Sequence, residues 1–156
     1  MHHSVNEILF NFNVSIMKKI KNYYYLVVGI LSVLAAFTHA LNGQQTVLQE
    51  MGTTTLSEGT QTIFRYVWHI ITAENLIFGV ALIMMAFFRE RGKVRFAALF
   101  IATVLLTRWL VILLFTMSAD NAGFAGILTD TVGILLFVIL LLLGSGVGRR
   151  KQSLSN

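Results

Sequence analysis

Four apolar runs, each long enough to cross a lipid bilayer, constrain the fold of this chain more than any other feature of its sequence. They cover about residues 23–41, 64–88, 96–117 and 124–143. A hydrocarbon core of roughly 30 Å requires about 20 mostly apolar residues in one helix. Because the backbone in lipid has no water to bond with, segments of this length form helices rather than isolated strands. The sequence therefore predicts an all-α integral membrane protein.

Composition agrees with this class. Of the 156 residues, 56% are apolar and 12% are charged, whereas about a quarter of the residues are charged in an average soluble domain. The net charge of +5 comes from short basic clusters beside the apolar runs, so it does not indicate nucleic-acid binding. The chain has no cysteine, which excludes disulfides, thiolate metal sites and a cysteine nucleophile. It has no proline either, which predicts straight helices.

Lysine and arginine lie on one side of the predicted spans. They precede the first span, fill the second loop and follow the fourth span: Lys18, Lys19 and Lys21; Arg89, Arg91, Lys93 and Arg95; Arg149, Arg150 and Lys151. The other two loops, 42–63 and 118–123, contain no Lys or Arg. The positive-inside rule then places both termini and the second loop in the cytoplasm. We predict an up-down-up-down four-helix bundle in the cell inner (cytoplasmic) membrane.

Three segments follow from these spans: a cytoplasmic N-terminal segment (1–22), a transmembrane domain (23–143) and a cytoplasmic tail (144–156). Residues 1–16 belong to no span and are either a misassigned start or a loose amphipathic arm. The stretch 18–40 resembles a signal peptide. Its apolar run is longer than a usual signal core, so we expect it to be retained as the first helix.

Small residues mark the helix faces that we expect to pack, because lipid provides little hydrophobic driving force between helices. The four predicted packing stripes, in chain order, are Gly29, Ser32, Ala36, His39 and Gly43; Arg65, His69, Thr72, Leu76, Gly79 and Ile83; Ala98, Ala102 and Leu105 with Arg108 or Trp109; and Gly123, Gly126, Asp130, Gly133 and Phe137. In the first loop, Gln44–Met51 forms either a short interfacial helix or a solvated loop.

Five ionisable side chains lie within or at the ends of the predicted spans, all in the outer half of the bundle: His39, His69, Glu74, Arg108 and Asp130. A charge at a helix centre costs about 2.5–3.5 kcal/mol on insertion scales, so we expect charges there to pair. Arg108 has Glu74 and Asp130 as candidate partners and does not neutralise both. The other acid is then protonated or bound to a histidine or a cation. The group is either an ion pair that sets helix register or a proton relay.

The two histidines are predicted at similar depth on adjacent antiparallel helices. His39 and His69 either ligate a haem iron, join Asp130 or Glu74 around a metal, or serve as hydrogen-bonded packing residues. Glu74 follows His69 by five residues, which is about 140° around the helix. One compact site that uses both is therefore disfavoured.

Aromatic and basic residues at the span ends are predicted to anchor the helices in the interface. Tyr66 and Trp68 form the outer aromatic belt, and Tyr23–Tyr25 form the inner one. Arg65 is expected to snorkel to the outer surface, with binding of an anionic headgroup as the alternative.

The stretches Ala35–Gly43 and Phe64–His69 resemble a family of small bacterial membrane proteins. Its members have four spans, a histidine that closes the first span and a Trp-His pair that opens the second. The resemblance covers mainly the first two helices and does not include Arg108 or Asp130. The family is uncharacterised, so the resemblance implies fold and membrane location but no activity.

Three functional hypotheses remain. The chain is a binding or accessory protein that holds a lipid, a quinone or a membrane-protein partner at the polar site, as a monomer or a homo-oligomer. Alternatively, it binds haem or a metal through His39 and His69, or it is a small proton-coupled transporter. The sequence contains no phosphate loop, nucleophile elbow, zinc-protease motif or dinucleotide fingerprint, so a non-enzymatic function is favoured and no cofactor is specified.

Overall fold

The structure, a computed structural model, describes residues 20–118 and 124–146. Its elements are α1 (Tyr23–Asn42), a π-helical turn (Gly43–Val47), α2 (Leu48–Gly52), α3 (Glu58–Met85), α4 (Arg91–Met117) and α5 (Phe124–Gly146). These two ranges contain no β-strand, so the all-α prediction is confirmed for them. The predictions for residues 1–19, 119–123 and 147–156, including the basic residues of the two ends and most of the predicted third loop, lie outside the described residues.

Three helical stretches are long and apolar enough to cross a membrane: Tyr23–Gly52, Glu58–Met85 and Gly92–Met117. Within α5 the described apolar stretch, Asp130–Gly146, is shorter. Large apolar side chains cover much of the outer surface, and Phe37, Phe96 and Phe115 are 60%, 75% and 76% exposed. So large an apolar surface is unfavourable in water and favourable in lipid, so these helices have the length and surface that are typical of membrane spans.

Two helices begin before their predicted spans, α3 at Glu58 and α4 at Arg91, and α3 ends at Met85 rather than at the predicted Phe88. Helix α3 begins at Glu58, six residues before the predicted Phe64, because the Ser57 Oγ caps it by accepting the Thr60 N–H at 3.3 Å. The first loop contains the short helix α2, as one of the two alternatives predicted. A π-helical turn joins α1 to α2 beyond the end of the predicted first span. There the Leu48 N–H donates to the Gly43 carbonyl, five residues earlier.

The described residues divide into two compact units, and each is considered by itself. The hairpin unit is Val27–Ile83, and the flanking unit consists of the described residues on either side of that range. In the hairpin unit, α1 and α3 run antiparallel, because Gly29 lies against Gly79 while Gly43 lies against Trp68.

The closest approach in the hairpin unit is between backbones. A Cβ on Gly29 would lie 2.8 Å from the Gly79 carbonyl oxygen, and a Cβ on Gly79 would lie 2.8 Å from the Val33 nitrogen. Real Cβ atoms do not come this close to backbone atoms. Glycine at both positions therefore sets the distance between α1 and α3, as small residues do in membrane helix pairs.

The predicted packing stripes are correct for two helices and wrong in part for the others. The stripe of α1 is buried apart from the half-buried His39, and Ala98, Ala102 and Leu105 of α4 are buried. The α3 stripe is buried only at Gly79, with its outer residues exposed. In α5, Gly133 is exposed, and a Cβ there would meet no atom within 4 Å. Gly123 and the packing of Gly126 lie outside the described residues.

In the flanking unit, Asn22 connects three segments. Its Oδ1 accepts the backbone N–H groups of Tyr24 and Tyr25 at 3.1 and 3.3 Å, which caps α1. Its Nδ2 donates to the Gly144 carbonyl near the end of α5 at 2.9 Å, and its backbone N–H donates to the Ala86 carbonyl at 3.1 Å. Tyr25 is only 2% exposed, so it is a packing residue and not part of the predicted aromatic belt.

Replacing Asn22 with alanine is expected to destabilise the protein by about 2 kcal/mol, because an N-cap and an interhelical hydrogen bond are lost together. Asn22→Asp keeps the cap oxygen and loses only the donor to Gly144, so its stability should be intermediate. Thermal unfolding in mild detergent, followed by circular dichroism, measures both. An Asn22→Ala variant as stable as wild type would contradict the role assigned to this residue.

Candidate functional site

A Trp–His pair anchors α3 to the end of α1. The rings of Trp68 and His39 are stacked with centroids 4.1 Å apart and planes 6° from parallel. The Trp68 Nε1–H also donates to the His39 carbonyl oxygen at 3.0 Å. A stack of this kind adds about 0.5–1.5 kcal/mol beyond area burial, and the hydrogen bond fixes the rotation of the indole. Both side chains are half-buried.

The π-helical turn begins directly beneath this pair. Gly43, its first residue, is buried, and a Cβ there would overlap the Trp68 indole. The wider turn carries the chain from α1 into α2, so that Leu48 is buried while Gln44 and Gln49 are exposed. A π turn inserted in this way re-aims the side chains that follow it, and such turns are frequent at functional sites.

A cleft of about 460 Å³ lies between this segment and the outer part of α3. It is lined by Gln44, Leu48, Gln49, Gly52, Arg65 and His69. The α3 residues Arg65 and His69 are four positions apart and share a helix face. The residues opposite them follow the same spacing, since Gln44, Leu48 and Gly52 are also four positions apart. The volume is within the range of about 300–1,000 Å³ that is usual for small-molecule sites.

The lining of the cleft is polar and carries positive charge. It combines one guanidinium, one imidazole and two primary amides with a single apolar side chain, Leu48. None of the six lining residues has a carboxylate. A guanidinium provides five N–H donors, and a primary amide both donates and accepts. The arrangement can therefore hold an anionic group together with neutral hydroxyl or carbonyl groups.

The five predicted ionisable residues are divided between the units. The hairpin unit contains His39, His69 and Glu74, and the flanking unit contains Arg108 and Asp130. His39 is stacked on Trp68 and His69 lines the cleft, so their immediate surroundings differ. Glu74 is half-buried on α3. Whether the five form one site stays a prediction.

Arg108 and Asp130 lie on two helices that pack along each other. The residues that follow them are hydrogen-bonded, with the Trp109 Nε1–H donating to the Thr131 Oγ1 at 2.9 Å. Arg108 lies about two turns before the end of α4, and Asp130 lies about two turns after the start of α5. The two helices therefore run antiparallel, with Arg108 and Asp130 at a similar level. Arg108 is half-buried, whereas Asp130 is exposed.

Binding of haem or a metal through the two histidines is one of the alternatives that the sequence leaves open, beside a packing role. Within residues 20–118 and 124–146, no three His, Asp or Glu side chains are grouped closely enough to hold a metal ion. One face of the His39 ring is covered by Trp68. Ligation of haem or a metal by His39 and His69 stays a prediction, as does proton-coupled transport.

Sequence reasoning missed the main features of the cleft. The sequence predicts Trp68 in the aromatic belt and Arg65 as a snorkelling residue or a ligand of an anionic headgroup, and it indicates no role for the glutamines of the first loop. One signal was available: Gln44, Arg65 and His69 are polar residues at the ends of two helices predicted to be antiparallel neighbours. These residues line one cleft because the chain after Asn42 continues as a helix, and the sequence alone left that segment as either a helix or a loop.

Comparison of the chain with family models, with curated proteins and with solved structures finds no match.

Proposed function

We propose that this chain is a small multi-pass protein of a bacterial cytoplasmic membrane that binds a small polar ligand in the cleft between α3 and the segment Gln44–Gly52. The observation that carries this proposal is the polar, carboxylate-free lining of a cleft of ligand size. Arg65 and His69 come from one helix, and the π-helical turn and α2 supply the opposite wall.

The proposed topology puts the cleft on the extracytoplasmic side. Arg89, Arg91, Lys93 and Arg95 lie at the junction of α3 and α4, while residues 42–63 contain no Lys or Arg. The positive-inside rule favours a cytoplasmic position for the first group and an external one for the second. With the four long helices as an up-down-up-down bundle, both termini are cytoplasmic. The resemblance of the first two helices to small bacterial four-span proteins supports the same location.

A binding or accessory role fits the cleft better than catalysis. The six lining residues include no carboxylate, hydroxyl or thiol, so they offer no nucleophile and His69 as the one general base. The Trp68–His39 anchor beside the cleft holds one of its walls against the end of α1.

The test is to fill the cleft. A Cβ on Gly52, which lines the cleft, would meet no atom within 4 Å, so Gly52→Phe should occupy the cleft without disturbing the fold. Gly59 is the matched control, because a Cβ there would come no closer than 4.0 Å to another residue and it does not line the cleft. Native mass spectrometry of the protein purified in mild detergent should detect a bound small molecule in wild type and in Gly59→Phe.

Gly52→Phe should lose that molecule while keeping the same unfolding temperature. Equal occupancy in all three proteins would show that the molecule is held elsewhere, and would overturn the assignment of the cleft as the binding site.

A further inference from the structure

We infer that the ligand of the cleft is a phosphate ester with hydroxyl groups on its substituent, an inference that rests on the proposed function. Arg65 and His69 would bind the phosphate, and Gln44 and Gln49 would hydrogen-bond to the hydroxyls. The argument depends on the charge of the lining, the spacing of its donors, the volume of the cleft and the apolar surface beside it.

The charge of the lining selects an anion. Arg65 is the one permanently charged side chain among the six lining residues, and His69 adds a second nitrogen donor on the same helix face. The closest acid in sequence, Glu50, follows Gln49 and is not part of the lining. Arginine binds phosphate oxygens through two parallel N–H donors, a geometry that a carboxylate also accepts, and the bonds are stronger to an anion than to a neutral group.

The spacing of the donors favours a phosphate ester over a single small anion. Arg65 and His69 are separated by one helical turn, about 6 Å along the axis of α3. Gln44 and Gln49 lie on the opposite wall, which also contains the apolar side chain of Leu48. The volume of about 460 Å³ exceeds what an inorganic ion fills and leaves room for a substituent. Primary amides bind hydroxyl groups as donors and as acceptors, which suits a polyol.

The surroundings of the cleft suit an amphiphile. Ile63, Phe64 and Ile70, which neighbour Arg65 and His69 in the sequence of α3, are 50%, 50% and 58% exposed. A phospholipid with its headgroup in the cleft would place its acyl chains on such apolar surface. A soluble phosphate ester would use the same polar contacts and leave this surface to the bilayer. The experiment below distinguishes a phospholipid headgroup from a soluble phosphate ester.

The full chain in neutral detergent is titrated with phosphatidylglycerol, with phosphatidylcholine, and with glycerol 3-phosphate, and binding is followed by native mass spectrometry and by calorimetry. The variants are Arg65→Gln and, as the matched control, Arg89→Gln, which removes the same charge from an exposed residue that is not part of the lining. Arg65→Gln should weaken binding about tenfold or more, because a charge-assisted hydrogen bond is lost. Arg89→Gln should bind as wild type does.

Saturable binding of phosphatidylglycerol over phosphatidylcholine, lost in Arg65→Gln, would identify a lipid as the source. Binding of glycerol 3-phosphate with the same dependence on Arg65 would identify a soluble ester. Either result supports the inference. The inference is overturned if folded wild-type protein binds neither phosphatidylglycerol nor glycerol 3-phosphate. It is also overturned if Arg65→Gln binds either ligand as tightly as wild type does.

Failure of this inference is distinct from failure of the proposed function. A bound molecule that contains no phosphate but is displaced by Gly52→Phe would overturn the phosphate ester and leave the cleft as a binding site. A bound phosphate ester that Gly52→Phe does not displace would overturn both.

Discussion

Replacing Gly79 with leucine is expected to separate α1 from α3 and to produce the largest loss of stability of any single substitution considered for this protein. A Cβ at this position would lie 2.7 Å from the Val33 Cγ2 and 2.9 Å from the Gly29 carbonyl oxygen. Because one of these neighbours is backbone, the helices must move apart, which exposes packed surface along both. Overpacking of this kind costs about 3 kcal/mol.

Thermal unfolding in mild detergent measures this loss, and Gly133→Leu is the matched control. Gly133 is also a helical glycine, but a Cβ there would meet no atom within 4 Å. Its substitution should leave the unfolding temperature unchanged or raise it slightly, since leucine has a higher helix propensity than glycine. Equal effects at the two positions would contradict the close approach of the two helices.

Replacing Gly43 with leucine is expected to expel Trp68 from its position over the π-helical turn. The new side chain would overlap the indole, so the stack on His39 and the hydrogen bond to its carbonyl would both be lost. Together these contribute about 2 kcal/mol. The cleft beside the pair should lose its ligand as well, because Gln44 follows Gly43 directly in the wall that the anchor holds in place.

Fluorescence reports this change directly. The chain has two tryptophans, so in a Trp109→Phe background Trp68 is the sole emitter. Gly43→Leu should shift and broaden its emission, whereas Gly52→Leu, placed in open space in the same segment, should not. Unchanged Trp68 emission in Gly43→Leu would refute the anchor described for the end of α1.

The results for Gly79→Leu and Gly43→Leu together would distinguish the residues that hold α1 against α3 from the residues that form the binding site. Gly29 and Gly79 bring α1 and α3 together along their length, and they do so by backbone contact that no side chain can replace. Gly43, Trp68 and His39 set the geometry only at the outer end. A Gly43→Leu protein that stays folded but no longer binds a ligand would locate the binding function at that end.

Features that depend on a single segment were predictable from the sequence. Apolar runs of about 20 residues are long enough to span a bilayer whatever they pack against, and the structure confirms long apolar helices over three of them. The buried stripe of α1 was likewise predictable, because small residues at steps of three and four define one helix face before any partner is known. The same reasoning identified Ala98, Ala102 and Leu105 of α4.

Features that depend on which residues meet were decided by the tertiary structure alone. Gly133 and Gly144 look alike in sequence, yet only Gly144 is buried, against the ring of Tyr25. His39 could face His69, a metal or a packing partner by sequence, and it is the Trp68 indole that covers it. Local sequence determines a helix and its apolar face through short-range periodicity. The Trp–His anchor joins residues 29 positions apart, and the cleft joins α3 to the segment Gln44–Gly52. Periodicity within one helix does not encode such contacts.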